Sequence, residues 1–97
     1  MPTYVALANF TQKGMQTIKE RSKQLKEFKE LVEPWGVKAK AVYYTMGRYD
    51  IIGIFEAPND DVMTKVILQI GLRGFVRTET LKATLPEELD EILKELP

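Results

Sequence analysis

The chain contains no cysteine and no histidine. The first absence removes disulfides, thiol nucleophiles and thiolate metal sites. The second removes the commonest metal ligand and the commonest general base near neutral pH. An excess of charge of either sign is missing too, because 14 basic and 14 acidic side chains cancel. Nucleic-acid binders draw much of their affinity from phosphate neutralisation and carry a basic surplus, so no nucleic-acid partner is expected. No apolar run approaches the roughly 20 residues that cross a bilayer, and Met1-Pro2-Thr3-Tyr4 lacks a basic-then-apolar leader. The expectation is a cytoplasmic protein with no membrane association, no metal and no cofactor.

What remains is a chain of 97 residues with 44% hydrophobic content. That is the size and composition of one soluble domain, residues 1–97, whose stability margin is thin at this length. The balanced charge hides a gradient. Residues 1–40 carry a net charge of +4 and residues 86–97 a net of −4. The two ends could attract each other within a subunit or between subunits, or both could be solvated faces that never meet.

The most informative stretch is Thr45-Met46-Gly47-Arg48-Tyr49-Asp50 followed by Ile51-Ile52-Gly53-Ile54-Phe55. It reads as a tight turn, with Gly47 supplying a positive φ, feeding a strand apolar on both faces. Such a strand wants cover on both sides. Around it, Tyr4 to Phe10 reads as a first strand, and Thr11 as the cap of a helix whose apolar stripe runs Met15, Ile18, Leu25, Phe28 and Val32. Ser22 interrupts that stripe, and Pro34 and Gly36 end it. Val37 to Thr45 reads as a second strand with Val37, Ala39, Ala41 and Tyr43 on one face and Lys38 and Lys40 on the other. Asp50 to Glu56 is the third strand. A helix carrying Val62, Met63, Val66, Ile67 and Ile70 follows, then a fourth strand from Phe75 to Ala83. Thr84 and Glu87 have capping-box spacing ahead of a last helix with Leu89, Ile92, Leu93 and Leu96 on one face.

This order, βαββαβ plus a terminal helix, is the ferredoxin-like α+β pattern: a four-stranded antiparallel sheet with strands one and three central and both long helices on one face. The other face would leave an apolar patch of several hundred Å2, the scale of an interaction surface. Pairing two such faces in a symmetric homodimer is the simplest cover.

Met46-Gly47-Arg48-Tyr49-Asp50 resembles the G-x-Y-D signature of the GYD domain family. Tyr4 to Thr11, Gly14 and Val76 to Leu81 resemble its other recurring segments. The resemblance implies a dimeric α/β barrel built on the ferredoxin-like fold and leaves the biochemical role open. Val42 to Pro58 is also similar to the hairpin of the effector-sensing domain of leucine-responsive-type regulators, which implies small-ligand sensing at subunit contacts. The DNA-binding helix-turn-helix of those regulators has no counterpart here.

The candidate ligand-binding residues are Asn9, Thr11, Tyr49, Asp50, Arg77 and Glu79. Asp50 could accept a hydrogen bond from a ligand or bond the backbone of its own turn, and Thr45 should lie opposite it. Arg77 and Glu79 share a strand face with Phe75 and Leu81, as a partly buried ion pair or the floor of a polar pocket. Asn9, on the neighbouring strand, could join them. Thr11 is most simply a helix cap. Strand three lacks the aromatic pattern of an RNA-recognition motif. Three functions remain: a homo-oligomeric module binding a small polar metabolite, a cofactor-independent enzyme of the monooxygenase or isomerase type, or a structural or partner-binding protein. No motif specifies a reaction, and any base would have to be Asp50, Glu79 or a perturbed tyrosine.

Overall fold

Alternation along the first strand sorts the whole molecule. The computed structural model describes all residues 1–97. β1 (Thr3–Phe10) leads through α1 (Gln12–Gln16) and a 3-10 turn (Ile18–Glu20) into α2 (Arg21–Val32). A second 3-10 turn (Glu33–Trp35) precedes β2 (Lys38–Tyr44), and β3 (Ile51–Glu56), α3 (Asp60–Arg73), β4 (Val76–Ala83) and α4 (Pro86–Leu93) follow. The strands form one antiparallel sheet in the order β2-β3-β1-β4. This is the ferredoxin-like arrangement, with β1 and β3 at its centre as the two-sided apolarity of β3 requires.

One face carries Tyr4, Ala6 and Ala8 of β1 and Phe55 of β3, all buried. α2 lays Phe28 and Val32 on it, and α3 lays Met63 and Val66. Phe28 meets Phe55 edge to face, with ring centroids 6.3 Å apart, a favoured aromatic geometry. Val37 and Ala57 close this core. The opposite face carries Val5 and Leu7, which lie in register with Ile54 and Ile52 of β3. Leu81 flanks Val5 on one side and Tyr43 flanks Ile52 on the other. No helix covers this face: Tyr43 is 61% exposed and Leu81 47%.

Four local expectations are corrected. The stripe of the first helix is not continuously buried. The chain turns through 3-10 geometry at Ile18–Glu20, so Met15 is exposed and only Phe28 and Val32 of the stripe reach the core. Strand two does not keep one apolar face. Its register passes from Ala39 opposite Phe55 to Ala41 opposite Ile54, leaving Lys40 as a bulge. One extra residue reverses every later side chain, which places Ala39 toward the helices and Ala41 and Tyr43 on the open face. Phe75 does not share the face of Arg77, since β4 begins after it and its ring lies on the helix side between Lys13 and Arg73. Thr84 caps nothing: the N-cap of α4 is Leu85, without a side-chain hydrogen bond. Pro86 fixes the first helical position and holds Leu85 extended, so the cap shifts by one residue.

α4 makes no sustained contact with the other elements. Its apolar residues Leu89, Ile92 and Leu93, and Leu85 and Leu96 flanking it, are each at least 47% exposed. The molecule is accordingly elongated, 53 × 32 × 18 Å with a radius of gyration of 14.8 Å, against about 12–13 Å for a compact chain of this length.

Candidate functional site

The six candidate residues come from the ends of three strands and one turn, and the structure divides them. Asn9 and Arg77 are directly paired in the β1–β4 ladder, and Glu79 is paired with Leu7. All four lie on the open face. Tyr49, at the close of the β2–β3 loop, donates its hydroxyl to Glu79 Oε2 at 2.8 Å. A residue leading into one central strand thus binds a residue of the far edge strand, and Asn9, Arg77, Glu79 and Tyr49 form a polar border along the apolar centre of Val5, Leu7, Ile52 and Ile54.

The expected Arg77–Glu79 ion pair does not form. Glu79 is bound to Tyr49 instead, both charged residues are exposed, and Arg77 takes part in no salt bridge. Exposure removes the physical need for pairing, because neither charge has left water. Glu79 also raises the pKa of Tyr49 above its ordinary 10.0, chiefly through this hydrogen bond. A phenol that holds its proton more firmly loses it less readily to become a base, so the bond suits positioning better than proton abstraction.

Asp50 faces inward to the backbone. Its Oδ2 accepts from Phe10 N at 2.9 Å, its own N–H donates to Ala8 O at 2.9 Å, and its carbonyl accepts from Thr45 N at 2.8 Å. Thr45 lies opposite Asp50, as the loop length requires, but its hydroxyl donates to Tyr49 O at 2.6 Å rather than to the carboxylate. Gly47, at φ 110°, supplies the backbone conformation that closes this loop. Together these bonds weld the GRYD segment to the end of β1.

Thr11 acts on the helix side. Its Oγ1 accepts from Gly14 N at 3.1 Å, capping α1, and donates to Gly74 O at 2.5 Å. Its N–H donates to Phe75 O at 3.1 Å. Lys13 Nζ adds a bond to Arg73 O at 3.0 Å. The start of α1 is thereby tied to the end of α3. Gly14 is required by closeness: a Cβ there would stand 2.0 Å from Phe75 O.

At the far end of the sheet the Tyr4 hydroxyl donates to Asp60 Oδ1, and Lys82 Nζ lies 3.1 Å from the same carboxylate oxygen. Burial, then the bond to Asp60, push the Tyr4 pKa up to about 12. The hydrogen bonds from Tyr4 and then Lys82 hold Asp60 below its usual carboxylate value. Sequence reasoning did not single out this cluster. Asp60 was readable only as part of the turn before α3, and its partner lies 56 positions away.

The open face, the α4 arm and the welded GRYD loop define a small ferredoxin-like domain with unsatisfied apolar surface. Its likeness to known proteins agrees. The GYD domain profile matches residues 4–93, and the chain belongs to the GYD domain family. It is 33% identical over 95 residues to a Thermus thermophilus protein described as a glutamine synthetase and cystathionine beta-lyase binding protein, covering 97% of this chain and 100% of that one. The crystal structure of a Thermus thermophilus protein, TTHA0845, superposes with a TM-score of 0.54 at 22% identity, over 88% of this chain and 95% of that one. That superposition establishes the fold. No helix of this chain is long and apolar enough to cross a membrane.

Proposed function

We propose that this GYD protein is a non-catalytic, homo-oligomeric protein-binding module. Two copies close their open sheet faces on each other, and the assembly engages a partner enzyme. The observation that carries this reading is the uncovered apolar centre of the sheet, Val5, Leu7, Ile52 and Ile54, bordered by Tyr43, Leu81 and the Asn9–Arg77–Glu79–Tyr49 polar group. An apolar centre with a polar rim is the anatomy of a protein interface.

The α4 arm supports a second copy as the occupant. An isolated helix of this length is marginal in water, so a projecting amphipathic arm needs a surface to lie on. Residues 86–97 are acidic and residues 1–40 basic by four charges each, and no salt bridge joins the two segments within one chain. An arm from one subunit against its partner satisfies both apolar and electrostatic needs.

The partner class follows the Thermus relative described as binding glutamine synthetase and cystathionine beta-lyase: an enzyme of nitrogen or amino-acid metabolism. In this reading Tyr49 and Glu79 fix the rim, and Asp50 and Thr11 hold the scaffold. Light scattering on the purified protein, followed by co-sedimentation with purified glutamine synthetase, tests the proposal. A dimer or larger assembly that co-sediments is expected. A monomer that ignores the enzyme refutes it.

A further inference from the structure

A cavity of about 120 Å3 lies on the covered side of the sheet, and 12 of its 17 lining residues are hydrophobic. Its floor is made of small residues: Ala6 and Ala8 of β1 and Gly53 of β3, all buried. Its walls include Leu25, Phe28, Phe55 and Ile70 from the layers above and beside that floor. None of the six candidate residues lines it. An apolar space of this size is comparable to one of roughly 150 Å3 that admits a benzene ring. Water entering it finds few polar partners, because its lining is almost wholly apolar.

The mouth carries charge of one sign in excess. Arg21 stands over the Tyr44 ring at 5.5 Å, and Tyr44 stacks on Phe10 at 6.4 Å. Arg73 stands over Phe75 at 5.3 Å, with Lys13 over the same ring at 4.7 Å. Arg73 is engaged, donating to Gln24 O at 3.0 Å and lying 3.6 Å from Glu27 Oε2. Beyond the Tyr44 ring, Arg21 makes one hydrogen bond at the limit of reach, 3.5 Å to Ile18 O. Two guanidiniums thus line the cavity, one of them paired with Glu27, and the Arg21 guanidinium has donors to spare for a bidentate acceptor.

We propose that this cavity binds a small monocarboxylate bearing one aromatic ring or a short branched alkyl group, with the apolar end on Ala6, Ala8 and Gly53 and the carboxylate on Arg21. The site lies on the opposite side of the sheet from the open face, so it stands or falls apart from the assembly described above.

Phenylpropionate and its neutral analogue phenylpropanol are the probes, titrated into isotope-labelled protein while the amide spectrum is recorded. Phenylpropionate should shift the amides of Ala8, Gly53 and Thr78 saturably in the millimolar range. Phenylpropanol and the Arg21→Gln variant should each weaken binding about tenfold, the loss of one charge-assisted contact. Ala8→Leu fills the cavity from its floor, and Thr78→Leu fills it from the more exposed edge strand, so one of them reports even where the other fails to fold. Either should abolish the shifts. Absence of saturable shifts in the wild type, or shifts unchanged in a folded filled variant, overturns the proposal. Equal binding of the acid and the alcohol overturns the assignment of an anionic head.

Discussion

The two faces of this sheet are built from the same strands, residue by residue in alternation, yet they have opposite fates. On the covered face, under α2 and α3, Tyr4, Ala6, Ala8 and Phe55 are buried. On the open face Val5, Leu7, Ile52 and Ile54 are as apolar as their neighbours but remain partly exposed. Hydrophobicity alone therefore does not say which face is the core. The two long helices can cover one side only, and Phe28, Val32, Met63 and Val66 determine which. What differs between the faces is their polar content. The covered face carries the Thr78–Thr80 hydroxyl pair on its edge strand and, at its two ends, the Tyr4–Asp60 bond and the Thr11 cap. The open face arranges Asn9, Arg77, Glu79 and Tyr49 as a border. A surface with that plan is prepared for another surface.

Substitutions can break this comparison, and the largest effect belongs to the covered face. Phe55→Ala removes the ring that packs on Phe28 and should cost about 3–5 kcal/mol, enough to unfold most of a domain this small. Thermal denaturation followed by circular dichroism checks it. Ile54→Glu, one residue away on the open face, should leave the fold of the protomer intact and abolish self-association. Light scattering would then report the protomer mass, and a circular dichroism spectrum would match wild type. If the two substitutions unfold the protein equally, the distinction between the faces is wrong.

Asp50→Ala should fall between these, losing about 1–3 kcal/mol because the Phe10 N–H is left without its acceptor. Asp50→Asn keeps an acceptor and should lose less. Urea titration separates them.

The pH dependence sharpens the account of the covered face. An unfolded chain releases the Tyr4 proton near the ordinary 10.0, but the folded protein holds it to about 12. Between those values the native state binds more protons than the unfolded one, so this contribution to stability, complete below pH 10.0, falls as pH rises. Asp60 acts in the other direction. Its folded pKa is lowered, so its contribution is complete above its ordinary 3.8 and is lost as pH falls through the lowered value. Tyr4→Phe should flatten the alkaline slope in urea midpoints. Tyr49→Phe is the mildest change. It deletes a solvent-exposed bond to Glu79, and should leave thermal stability unchanged while weakening self-association.

Much of the fold was legible in the residues. β3 is central because Ile51 to Phe55 is apolar at every non-glycine position, and the GRYD loop closes with Thr45 opposite Asp50 as its length requires. Thr11 is the cap that its hydroxyl and position suggested. The failures have a common cause. The Lys40 bulge is one extra residue with no compositional mark. The bond from Tyr49 to Glu79, 30 positions apart, replaced an ion pair inferred from two neighbours on one strand. A cavity arises from the spacing of layers, and Ala6, Ala8 and Gly53 look in sequence like ordinary strand residues. Local chemistry can be read from a chain, whereas competition among distant partners is decided only when the chain is folded.

The open face is the proposed interface between copies of this chain. Sedimentation equilibrium on the wild-type protein at micromolar concentration tests that most directly. It should return a dimer or a higher multiple of the 11.1 kDa protomer, reverting to the protomer mass in Ile54→Glu. A wild-type protein that sediments as a monomer across that range contradicts the account.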